Sequence, residues 1–220
     1  MATWIAHLRL AERLLPRLGI MVEEKAFYIG NIAPDCGEPD AGGRGYEPSV
    51  SVTHWTKTGL HSDTDSEGFF TRFLSANNDN TAYSFYLGYY LHLLADVIWT
   101  QRIALPNAEE HKARFDADEH FIDEVKKDWY DQDRLFLSKN PCFRPILVLL
   151  ERESFPNYFL DYFSADAFDK KLRVIAEFYG MGHGDPNRAY PYLQEPQMDD
   201  FIDAAEMELI ECLKLKDILP

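Results

Sequence analysis

The segment Ala82–Trp99 is a run of apolar and aromatic residues interrupted by one histidine and one aspartate, His92 and Asp96. Two ionisable groups four residues apart share one face of a helix. The rest of the run is apolar on nearly every side, which predicts a helix buried all round at the centre of a helical fold. An imidazole and a carboxylate are unfavourable in such surroundings unless each has a partner. A metal ion satisfies both together. Three residues upstream offer ligands of the same kind: His7 on an apolar stripe, Asp35 in a Pro-Asp turn, and His54 in a turn-rich segment. The run is about one membrane span long at the usual ~20 residues. Ionisable groups within it, together with Ser84 and Gly88, fit the central helix of a soluble bundle better.

The remainder of the chain reads the same way. Apolar periodicity predicts helices near 4–18, 22–29, 66–76, 81–104, 109–138, 143–153, 165–179 and 197–215. In the first, Trp4, His7, Leu8, Ala11, Leu14, Leu15 and Leu18 form one stripe. Residues 30–64 are rich in Gly, Pro, Asp and Ser and read as a long ordered loop, and a second Gly/Pro-rich loop spans 180–196. A loop as long as the first is commonly functional. No strand alternation or internal repeat is visible. The expected fold is all-α, an irregular multi-helix bundle forming one domain over 1–220. Its metal-site half covers about 1–130, and a helical C-terminal part covers about 140–220.

Charge narrows the function classes. The 220 residues carry 37 acidic and 22 basic side chains, a net charge of −15. A field of that sign disfavours a nucleic-acid duplex as partner but not a small phosphoester at a metal site. Arg9, Glu12 and Arg13 interrupt any signal-peptide core near the N-terminus. Cys36, Cys142 and Cys212 are odd in number and widely spaced, which suggests a reducing compartment. A cytoplasmic protein without integral membrane association is expected.

Taken singly, each candidate has a plain structural role. His7 suits a hydrogen-bonded core histidine, Asp35 a turn or Asx cap, His54 a packing residue, and His92–Asp96 a buried ion pair. Together they form a nitrogen and oxygen ligand set that suits zinc, and also manganese or iron, as one or two ions. A carboxylate can bridge two metals about 3.5–4 Å apart, the arrangement used for phosphoester displacement.

The ordered series His7; Gly30-Asn31-Ile32-Ala33-Pro34-Asp35; Thr53-His54-Trp55; and Gly88-Tyr89-Tyr90-Leu91-His92-Leu93-Leu94-Ala95-Asp96 resembles the zinc-dependent phospholipase C family. That family is related to the zinc-dependent single-strand nucleases. The likeness covers roughly residues 1–100 and extends toward 130. It implies an all-α fold holding up to three zinc ions. Asp35, His54, His92 and Asp96 would surround one ion, Asp96 would bridge to a second, and His7 would join the second. Asp35 would also act as, or orient, the base for a metal-activated water that hydrolyses a phosphodiester or phospholipid-like substrate.

Three departures stand out. Secreted members use a mature N-terminal Trp as ligand, whereas Trp4 is internal here and an amine at Ala2 requires loss of Met1. Arg102 stands near the place of a further family histidine and is a candidate contact for the substrate phosphate. His120 and Glu124 supply the His-x-x-x-Glu spacing of the third-metal pair, but equally suit a solvated i,i+4 pair. Elsewhere, the stretch from His61 to Asp65 reads either as polar groups at the mouth of the site or as helix capping by Asp65 or Ser66. The acidic stretch 128–133 reads as helix surface, and His111 and His183 as solvent-facing.

A metal-dependent phosphoesterase is therefore expected. One alternative is a non-catalytic protein that keeps a partial metal site and binds a ligand or partner. Another is an HD-type nucleotide phosphohydrolase. The latter requires an adjacent His-Asp dyad, and no histidine here is followed by aspartate.

Overall fold

The computed structural model describes residues 1–220 apart from 20, 21, 43, 44, 76, 78, 152, 183 and 186, so the expectation for His183 lies outside the described residues. The chain is mostly helical. In order, the helices are α1 (Trp4–Leu14), α2 (Glu24–Ile32), α3 (Val50–Thr53), α4 (Ser66–Phe73), α5 (Asn80–Trp99), α6 (Leu105–Glu110), α7 (Lys112–Ala117), α8 (Phe121–Lys139), α9 (Arg144–Leu149), α10 (Ala167–Gly180) and α11 (Glu195–Leu215). The one sheet among the described residues pairs β1 (Glu38–Pro39) antiparallel with β2 (Tyr46–Glu47), in register Glu38↔Glu47 and Pro39↔Tyr46.

Side-chain caps set several helix starts. Thr3 accepts from Ala6 N at 3.2 Å to open α1, and Asp79 accepts from Ala82 N at 2.7 Å to open α5. Asp65 caps α4 by accepting from Gly68 N at 2.9 Å. Helix ends depart from the periodicity where backbone chemistry intervenes. α1 stops at Leu14 and tightens into a 3₁₀ turn containing Pro16, which has no N–H to continue the ladder. The single helix expected over 109–138 is broken twice: at His111, between α6 and α7, and at Asp118, which is extended (φ −144°) and whose carboxylate accepts from His120 N at 2.8 Å. α5 passes into a π-helical turn, Thr100–Ala104, before Pro106 near the start of α6. The long loop is ordered by a 3₁₀ turn at Ala33–Asp35, the small sheet, α3 and a second 3₁₀ turn at His61–Asp63.

α5 is the buried centre that its apolar run predicts; His92, Leu93, Asp96 and Trp99 are all at 0% exposure. α2 crosses it at backbone contact. A Cβ at Gly88 would lie 2.1 Å from Phe27 O, and one at Gly30 would lie 2.0 Å from Phe85 O. Both glycines are therefore required by the crossing rather than by their own torsions. The crossing sets the end of α2, and hence Asp35, beside the turn of α5 that carries His92. On the opposite flank Trp99 meets Trp129 of α8 and Phe201 of α11 edge to face, at 5.1 and 4.9 Å. Ion pairs Arg9–Asp199 and Arg13–Asp203 lay α11 along α1. Among the described residues no helix is long and apolar enough to cross a membrane.

The stretch 128–133 is not helix surface. Asp128, Trp129, Gln132 and Asp133 are buried. Asp128 accepts from Arg188 at 2.7 Å and from Tyr192 N at 2.8 Å, which ties the loop after α10 onto α8. His111 is half-buried and packs edge-on against Phe121 and Tyr192 rather than facing solvent.

Candidate metal centre

Five elements deliver six side chains to one place. α1 supplies His7, the 3₁₀ turn after α2 supplies Asp35, and the residue closing α3 is His54. The 3₁₀ turn before α4 supplies His61, and α5 supplies His92 and Asp96. Asp96 is the hub. Its Oδ1 lies 3.4 Å from His7 Nε2, and its Oδ2 lies 3.1, 3.5 and 3.6 Å from His61 Nδ1, His92 Nε2 and His54 Nε2. His54 Nε2 is also 3.4 Å from Asp35 Oδ1 and 3.3 Å from His92 Nε2. The rings of His7 and His92 stack 3.7 Å apart, 10° from parallel. Ala2 N–H donates to Asp96 Oδ1 at 2.6 Å, so the N-terminal segment closes one side of the hub.

Hydrogen bonds behind the cluster orient its nitrogens inward. His92 Nδ1 lies 2.8 Å from the carbonyl of Asn31. A carbonyl only accepts, so Nδ1 carries a proton and Nε2 faces the cluster. His54 Nδ1 pairs with Thr53 Oγ1 at 2.9 Å, which aims its Nε2 inward as well. Tyr89 OH donates to Thr53 O and so fixes the end of α3 against α5.

Burial opposes charge on every group, and neighbours decide the outcome. Burial, reinforced by stacked His92, lowers His7 to about 4. Burial also lowers His54, against the pull of Asp35. At His92 burial is outweighed by Asp96 and Asp35, and the imidazole rises. Burial pushes both carboxyls up, but His54 and His92 hold Asp35 below the usual carboxylate range, and the N-terminus, His61, His7 and His92 do the same for Asp96. The result is two ionised carboxylates among imidazoles, of which His7 and His54 are biased toward the neutral ring that offers a lone pair.

That donor set fits a divalent cation. His7 Nδ1, His7 Nε2, His61 Nδ1 and Asp96 Oδ2 are buried without hydrogen-bond partners. Buried polar atoms are rarely left so, and a cation among them supplies what they lack. Three overlapping groups have one ligand atom per residue within 4.8 Å of the others: His7, His92 and Asp96; Asp35, His54 and His92; and His54, His61 and Asp96. Each pair of groups shares one residue, His92, His54 or Asp96, so the three groups form one continuous cluster.

The expected residues His7, Asp35, His54, His92 and Asp96 thus come together, and His61 joins them. From sequence its imidazole is readable only as a polar group near the mouth, because its approach depends on how the loop returns from α3 to α4. The structure places the other candidates away from this cluster. His120 opens α8 with its side chain 78% exposed, nearest Glu119 and Asp123. Glu124 is bonded to Arg114 and Tyr192. Neither belongs to a ligand group among the described residues.

Asp35 and His54 border a cavity of about 590 Å³ that reaches solvent. Its lining includes the apolar residues Trp4, Pro34, Pro48 and Val50, together with Lys126 and Tyr130 of α8 and Lys170 and Lys171 of α10. Arg102 is not part of this lining. It lies in the π-helical turn, paired with Glu208 at 2.6 Å, its side chain 49% exposed. The cluster, whose side chains could hold a metal ion, therefore reaches an open cavity through Asp35 and His54.

A model of the zinc-dependent phospholipase C family matches residues 6–132 of this chain, more than half its length. The chain belongs to the zinc-dependent phospholipase C family. The matched span contains all six clustered side chains. No curated protein matches the chain, and no solved structure does. Membership in this zinc-dependent family and the His/Asp groups agree on a metal-dependent phosphoesterase with zinc as its metal.

Proposed function

We propose that this chain hydrolyses a phosphodiester by water attack at phosphorus, with His7, Asp35, His54, His61, His92 and Asp96 as the metal ligands. The observation that carries the proposal is a set of three overlapping ligand groups, two of them sharing Asp96, that reaches an open cavity through Asp35 and His54, with four of its atoms unpartnered. Zinc held there supplies Lewis acidity and lowers the pKa of a water toward ~7. The protein supplies the rest. Asp35 is ionised, borders the cavity and is held by His54, so it accepts a proton from the attacking water and orients it. His92 donates its Nδ1–H to Asn31 O, which leaves Nε2 as the nitrogen that faces the cluster. The cavity admits a soluble phosphodiester. Three free thiols, Cys36, Cys142 and Cys212, suit a reducing cytoplasm.

The test is metal content and hydrolysis of bis(p-nitrophenyl) phosphate by wild type and Asp96→Asn. Zinc bound and the ester cleaved by wild type, with both lost in the variant, is the expected result. Equal metal content and equal hydrolysis in the two proteins refutes the proposal.

A further inference from the structure

The lining of the cavity carries charge of the wrong sign for so acidic a chain. Three lysines, Lys126, Lys170 and Lys171, line it against two carboxylates, Asp35 and Glu38, within a protein of net charge −15. The lysines are not equivalent. Lys170 is neutralised by Glu38 at 2.8 Å and Asp166 at 3.3 Å. Among the described residues, Lys126 and Lys171 have no carboxylate within ion-pair distance. Lys171 Nζ instead sits 3.4 Å from Gly37 O, two residues from Asp35, with its charge over the Trp4 ring at 5.5 Å. Lys126 lies one turn before Tyr130 on the same face of α8, and both line the cavity. Both lysines are half-buried and line the cavity.

We infer that Lys126 and Lys171 bind a second anionic group of the substrate, so that the ligand of this cavity is a phosphodiester bearing a further phosphate or carboxylate. The inference rests on the phosphoesterase proposal for the adjoining cluster and names its substrate class. With the scissile phosphate at the cluster, Lys126 and Lys171, which line the same cavity as Asp35 and His54, would take the second anionic group. Two ammonium groups held without carboxylate partners bind a dianion through charge-assisted hydrogen bonds.

The experiment is titration calorimetry of the purified protein, zinc matched in cell and syringe, with propane-1,3-bisphosphonate and with propylphosphonate. Wild type should bind the bisphosphonate roughly tenfold more tightly. That advantage should disappear in Lys126→Ala/Lys171→Ala and persist in Lys170→Ala. Equal affinities in wild type, an advantage that survives in the double variant, or no binding of either compound overturns the inference. Failure of wild type to cleave bis(p-nitrophenyl) phosphate overturns the phosphoesterase proposal instead, since the bisphosphonate advantage is read without catalysis.

Discussion

Two carboxylates at the heart of this protein, Asp96 and Asp133, are buried to almost the same degree, at 0% and 2% exposure, and behave in opposite ways. Asp96 on α5 faces four imidazoles, and its Oδ2 has no hydrogen-bond partner. Asp133 on α8 faces hydroxyls. Thr3 donates to its Oδ1 at 2.7 Å and Tyr179 to its Oδ2 at 2.5 Å. Burial raises both carboxyls. At Asp96 the nearby N-terminus and histidines reverse the effect, whereas at Asp133 the hydroxyls and the more distant Arg9 and Arg134 do not, and it rises to about 7. Burial alone therefore does not mark a functional carboxylate. What distinguishes Asp96 is nitrogen donors that it cannot satisfy by itself.

The largest expected effect breaks the Asp96 side. Asp96→Asn should lose bound zinc and lower phosphodiester hydrolysis by at least about 100-fold. Zinc at 1,000 times its Kd should also stabilise wild type by about 4 kcal/mol, read as a shift in the urea midpoint that a chelator reverses. Asp133→Asn should retain that shift, and its loss there would erase the contrast between the two carboxylates.

The second prediction concerns Asp133 and pH. Its native pKa of about 7 exceeds the ordinary 3.8. On raising the pH, the unfolded chain releases this proton first. The stability that Asp133 contributes is thus fully present below about pH 4 and lost as pH rises through about 7, by no more than about 4 kcal/mol. Denaturant titrations between pH 4 and 8 should show a decline in wild type that is flattened in Asp133→Asn. Parallel pH profiles for the two proteins would contradict the assignment.

Gly88→Ala comes next, because its Cβ would meet Phe27 O at 2.1 Å. Separating α2 from α5 should lower stability by about 3 kcal/mol and weaken zinc binding, since the crossing holds Asp35 against His92 and His54. An unchanged urea midpoint would show that the crossing tolerates a side chain. The smallest effect is expected from His120→Ala and Glu124→Ala. Both should keep wild-type zinc content and change stability by no more than about 0.5 kcal/mol, as surface substitutions usually do. Loss of a zinc equivalent in either would restore them to the centre.

Much of the fold and most of the centre are legible in the sequence. The i,i+4 pair on an all-round apolar helix predicts both the buried α5 and its ligands. Helical periodicity turns His7 inward, and the Pro-Asp turn sets Asp35 at a helix end. These features are local, so a few residues suffice to specify them. The rest is long-range. His61 joins the cluster, and Lys126 and Lys171 reach the cavity, only because separate elements return to the same place. His120, Glu124 and Arg102 have suitable side chains and spacing yet point to solvent or to surface partners. Asp128 and Asp133 lie in a sequence as acidic as any exposed helix, and packing of the segment around Arg188 and Tyr192 and of α10 buries them. Helix type, capping and facing follow from neighbours along the chain. The partners of a side chain depend on loop closure and on the close α2–α5 crossing at Gly30 and Gly88, which set the relative positions of residues far apart in the chain.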